Sequence, residues 1–110
     1  MHNTGDLFSL EDDNMILQIN SPKESISGPY AVVFKNLAIV ALNWDQQPRL
    51  GIRWFWGNGG NPFSSGHGTW LVIPPTLTHS MLSGIPLDHA FRRKVDDFLS
   101  GVISGHQINN

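Results

Sequence analysis

The residues with most capacity for chemistry cluster in the middle of the chain. Residues 57–68 read Gly-Asn-Gly-Gly-Asn-Pro-Phe-Ser-Ser-Gly-His-Gly, five glycines in twelve positions. Trp54, Trp56 and Trp70 flank this stretch, and it contains Phe63 and His67. A long loop beside aromatic side chains is a reasonable place for a ligand. Arg53 stands just before it, inside an otherwise apolar run, and could anchor an anion. The plainer expectation for Arg53 is a cross-strand ion pair with Asp45 or Glu24. The candidate ligand-binding set is therefore Arg53, Trp54, Trp56, Phe63, His67 and Trp70. The plainer expectation for the loop is a flexible connection whose glycines supply positive φ, with the tryptophans serving as core.

Specific chemistries fare less well. The loop has neither the three-glycine dinucleotide fingerprint nor the lysine of a P-loop, and it leads into a strand rather than the helix both motifs need. Ser64, Ser65 and His67 invite a hydrolase reading, but the Gly-x-Ser-x-Gly elbow is absent, and triad members usually lie far apart in sequence. The five histidines, His2, His67, His79, His89 and His106, lack metal-binding spacings. The pairs Asp12-Asp13 and Asp96-Asp97 point in different directions on a helix and suit solvent better than acid–base work. No catalytic residue, metal site or cofactor is assigned.

The elements that would position these residues follow from periodicity. Arg49 to Trp56 alternates, with Leu50, Ile52, Trp54 and Trp56 on one side and Arg49, Gly51, Arg53 and Phe55 on the other, as in a half-buried strand. Asp45-Gln46-Gln47-Pro48 is a turn suited to an antiparallel hairpin with the segment before it. Residues 30–44 are almost wholly apolar. They read as two buried strands turning at Lys35-Asn36, or as one buried helix; β-branched and aromatic content favours strands. Met15–Ile19 reads as a short first strand and Thr69–Ile73 as a last one, with a short helix at Thr76–Leu82. From Pro86 onward, Leu87, Phe91, Val95, Phe98, Leu99 and Val102 recur at helical spacing opposite Arg92, Arg93, Asp96 and Asp97.

These readings assemble into an α+β fold, an antiparallel β-meander of about four strands with the C-terminal α-helix packed on one face. Residues 1–14 form a flexible acidic arm, 15–105 the single domain and 106–110 a frayed tail. The chain has 110 residues, of which 40% are hydrophobic and 15% charged, a balance that belongs to one folded domain. A net charge of −2 gives no general attraction to nucleic acid. The basic run Arg92-Arg93-Lys94 is followed at once by acids and reads as a solvated helix face. There is no cysteine, so disulfides, thiolate zinc sites and cysteine nucleophiles are excluded. The longest apolar stretch, Leu37–Leu42, is too short to cross a bilayer, and the N-terminus lacks the pattern of a signal peptide. The expectation is a soluble cytoplasmic protein. In size, lack of cysteine and aromatic core the chain resembles the small proteins carried in bacterial mobile gene cassettes; that resemblance rests on no residue pattern and implies no activity.

Two functional readings remain. The leading one is a non-catalytic, self-associating interaction module, a homodimer pairing through an aromatic sheet face with Phe55, Leu71 and Ile73 as candidates. The alternative is a small-molecule binding protein or enzyme that uses the Gly57–Gly68 loop as a lid.

Overall fold

A computed structural model describes residues 10–35, 37–54, 60–64 and 66–109. The elements are α1 (Leu10–Leu17), β1 (Ile26–Phe34), β2 (Ala38–Trp44), β3 (Gln47–Arg53), β4 (Phe63–Ser64), β5 (His67–Gly68), β6 (Leu71–Val72), α2 (Pro75–Ser83) and α3 (His89–Leu99), followed by a short 3-10 turn at Gly105–Gln107. The main sheet has the order β1-β2-β3-β6, antiparallel throughout, and β4 and β5 form a separate small hairpin. The fold is therefore α+β, with the four-stranded antiparallel sheet and C-terminal helix expected from the sequence.

The apolar run at 30–44 forms two strands. It is apolar on both sides because both sheet faces are covered. In β2, Ile39 and Ala41 belong to one core, while Ala38, Val40 and Leu42 belong to the other. The first core lies under α2 and α3. Val95 and Phe98 of α3 and Leu82 of α2 pack there with Ala31, Val33 and Leu50. Two register shifts in β1, between Ser27 and Ala31 and between Val32 and Phe34, turn neighbouring residues toward the same core. Tyr30 and Ala31 share the first core in this way, as do Val33 and Phe34.

The second core joins Ile16, Ile26, Ala38, Val40, Leu42 and Trp70. Here the structure corrects an expectation. Met15–Ile19 is not a strand: its residues up to Leu17 close α1, and Ile16 is buried while Met15 is exposed. Four apolar residues in five suit the end of a short helix as well as a strand, and here Ile16 is buried against the sheet with Ile19 packed beside it. Trp70 lies against the sheet because Gly51 beneath it has no side chain. A Cβ at Gly51 would stand 2.9 Å from Trp70 Cβ and 3.0 Å from Leu42 Cδ2. The face opposite α3 is thus covered within the chain. Of the side chains expected to lie open there, Ile73 belongs to the first core, Leu71 is exposed, and Phe55 is outside the described residues.

Local chemistry sets the remaining boundaries. β2 and β3 join through Asp45 and Gln46, at φ 49° and 69°, so the strand resumes at Gln47. Helix α3 begins at His89 rather than Pro86, because the Asp88 carboxylate accepts hydrogen bonds from the Ala90 and Phe91 amides at 3.0 and 3.2 Å. Arg92 does not simply face solvent: its guanidinium donates to the carbonyls of Leu82 and Ile85, closing the C-terminal end of α2. The expected strand at Thr69–Ile73 is only two residues long, Leu71–Val72.

The C-terminal residues were expected to fray, yet they pack. Ile108 is 1% exposed in the first core. Asn109 donates to the Tyr30 carbonyl at 3.0 Å, and the His106 ring stands edge-on to Tyr30 at 5.0 Å. One well-placed isoleucine and one amide outweigh the polar composition of this segment.

Candidate functional site

The site is built outward from Arg53, the last residue of β3. Alternation turns it to the face of Gly51, away from Leu50 and Ile52, and it is only 3% exposed. A guanidinium in such a place needs acceptors. It finds them in the backbone of the following loop, donating to the carbonyls of Pro62 and Thr69. Desolvation lowers its pKa from the ordinary arginine value. Its cation also lies 4.8 Å from the centroid of the Phe63 ring, within cation–π range. Gly68 pairs with Phe63 across the β4–β5 hairpin, and a Cβ on it would come within 3.0 Å of Arg53 Cζ. A side chain at this position would make the guanidinium give by a few tenths of an ångström.

Trp54 pairs with Asn61 through reciprocal backbone hydrogen bonds of 2.9 Å, bringing the chain back beside the end of β3. The Thr69 amide donates to the Pro62 carbonyl at 3.1 Å. The second half of the glycine-rich stretch is therefore a folded hairpin tied to β3. Thr69 is buried, and its hydroxyl has no hydrogen-bond partner among the described residues. Directly after it, Trp70 enters the second core and its indole N–H donates to the Ile19 carbonyl at 2.7 Å.

The candidate residues consequently divide. Arg53 and Trp70 are buried and hold backbone together. Phe63 and His67 are exposed on the hairpin, with Phe63 45% exposed. Trp54 is half-buried at the start of the loop, and Trp56 lies outside the described residues. Asp45 and Glu24, the expected ion-pair partners of Arg53, are exposed, and the acceptors found are carbonyls. Sequence reasoning had no means of finding Pro62, Thr69 and Ile19 as acceptors, because every residue carries a carbonyl and only the fold selects which ones converge.

The histidines are dispersed: His67 on β5, His79 on α2, His89 at the start of α3 and His106 against Tyr30. Among the described residues no group of three or more histidine or acidic side chains could hold a metal ion. Among the same residues no helix is long and apolar enough to cross a membrane. What this part of the molecule offers is a braced hairpin with an exposed aromatic ring and imidazole, followed by Leu71, 54% exposed, on the short strand β6. No protein-family model, no curated protein and no solved structure matches the chain.

Proposed function

We propose that this protein is a small, non-catalytic interaction module that binds protein, including a second copy of itself, through the stretch from Phe63 to Leu71. The observation that supports this reading is the division of labour around Arg53. Arg53 and Trp70, two of the side chains that could grip a small ligand, are engaged with the Pro62, Thr69 and Ile19 carbonyls. The groups left accessible include two large apolar side chains, Phe63 on the braced hairpin and Leu71 on β6, beside the His67 imidazole. Exposed apolar side chains on a braced backbone suit protein contact, because little conformational entropy remains to be lost on binding.

Charge supports protein over nucleic acid as the partner. The net charge is −2, and Arg92 of the single basic run is engaged with two carbonyls of the α2 end. A chain without cysteine needs no oxidising compartment, and we assign the module to the cytoplasm.

Size exclusion with light scattering over a wide concentration range tests the reading. The expected result is a species above the 12.2 kDa chain mass that shifts toward monomer in Phe63→Glu or Leu71→Glu. Dimers insensitive to both substitutions would remove this surface. A monomer at every concentration would remove self-association.

A further inference from the structure

We infer that α1 is an exchangeable strap: in a pair of copies, the helix of each chain seats on the sheet of the other. This inference rests on the self-association in the reading above, though not on the Phe63–Leu71 surface.

The seat is specific to this segment. Its floor is Ala38, Val40 and Leu42, all 0% exposed, bordered by Ile26 and Trp70. Three anchors meet it from residues 13–19 alone. Ile16 fills the apolar floor at 1% exposure. The Ile19 carbonyl accepts from Trp70 Nε1 at 2.7 Å. The Asp13 carboxylate lies 3.0 Å from Lys35 Nζ. The occupant whose shape, polar group and charge fit this seat is therefore α1 itself, from the same chain or from another copy.

Residues 15–24 are otherwise held locally. Their backbone hydrogen bonds, such as Gln18 to Met15, Ile19 to Ile16 and Ile26 to Pro22, begin and end within residues 15–26. Detaching α1 breaks no sheet ladder, and re-seating it on another copy remakes all three anchors. The other helices are less separable: Arg92 of α3 holds the end of α2, and both contribute to the same core. An eight-residue helix is too short to persist in water alone, so a released α1 needs a seat. Exchange of an identical element between copies is a low-cost route to a closed dimer.

Asp13 and Lys35 provide the test, because the chain has no cysteine of its own. Their side chains are 27% and 40% exposed, so substitution there spares the core. The double variant Asp13→Cys, Lys35→Cys, treated with a short bis-maleimide, should link within one chain. Failure of any 13-to-35 link, within a chain or between chains, would show that α1 does not occupy this seat and would overturn the inference. The two single variants, mixed at high concentration before treatment, should give a covalent heterodimer joining position 13 of one chain to position 35 of the other. Its yield should exceed that from mixing at low concentration several-fold. Wild-type dimers with no 13-to-35 link between chains would overturn the exchange and leave self-association standing. A wild-type chain that stays monomeric throughout would overturn both. Linked dimers that survive Phe63→Glu would support the exchange and remove only the Phe63–Leu71 surface.

Discussion

At the scale of single residues, two side chains and one missing side chain hold the loop and the strap in place. Gly51 is the missing one. In Gly51→Ala the new Cβ meets Trp70 at its own Cβ, the stiff base of the side chain, so Trp70 must shift bodily. Overpacking of this kind costs about 1–3 kcal/mol. The indole N–H should also leave the Ile19 carbonyl, adding about 1 kcal/mol for the lost bond. Chemical denaturation should show the combined loss, and a Gly51→Ala protein as stable as wild type would mean that Trp70 does not lie on this strand. Arg53→Met keeps the apolar stem of the side chain and removes its donors. The Pro62 carbonyl keeps the Thr69 amide, so the buried Thr69 carbonyl is the one that loses its donor, at a cost of about 1–3 kcal/mol. The substitution should also loosen the hairpin, so amide exchange at Thr69 and Asn61 should rise well above the wild-type rate. Unchanged exchange there would show that the loop is held by something other than Arg53.

At the scale of elements, α3 and the C-terminal turn act together on the first core. Phe98 is 2% exposed and stands edge-on to Tyr30 at 5.9 Å, with Ile108 in the same cluster. Phe98→Ala should cost about 3–5 kcal/mol and Ile108→Ala about 2–5 kcal/mol, both read from denaturant midpoints. A loss under about 1 kcal/mol in the isoleucine variant would mean that the tail frays after all. These elements differ in how far the sequence revealed them. The α3 pattern is visible because Val95, Phe98 and Leu99 repeat with a helical period. β3 is visible because Leu50 and Ile52 alternate with Gly51 and Arg53. Neither α1 nor the tail has a period to read: in each, one isoleucine is fully buried, Ile16 and Ile108, and one inward side chain carries no pattern. A turn over Asp45–Pro48 was foreseen; the structure confines it to Asp45 and Gln46, whose left-handed backbone was not foreseen, since neither position is the asparagine or glycine that usually marks such a turn. The candidate site was legible as a region and not as an arrangement. Aromatics and glycines located it, whereas the partners of Arg53 and Trp70 are backbone atoms that no residue name announces.

At the scale of the whole molecule, one sheet divides two cores, and β2 contributes to both. Neither core can be lost without baring one side of the same strand. Unfolding should therefore be a single cooperative transition. Far-UV circular dichroism, which follows the helices, should coincide with tryptophan emission, to which Trp44 and Trp70 contribute from the second core. An earlier fluorescence transition would instead identify the α1 side as a separately melting unit. The sheet edges bear on association as well. β1 carries two register shifts, Pro29 and the Asn109 contact, while β6 is two residues long. Features of this kind discourage strand-to-strand pairing, so association is better sought through side chains or helix exchange than through extension of the sheet.

The central position of β2 also has a consequence for the newly made chain. Ala38–Leu42 contains no charge and no proline, and combines apolar with β-branched residues, the composition of a segment that sticks to its own kind when bare. In order of synthesis α1 emerges before this strand, so part of one cover precedes it, while Trp70 of the same cover follows. The other cover, α2 and α3, starts only at Pro75. Until then a ribosome carries this apolar strand with one side naked, and chains released early, ending before Pro75, should collect in the insoluble fraction of the cell.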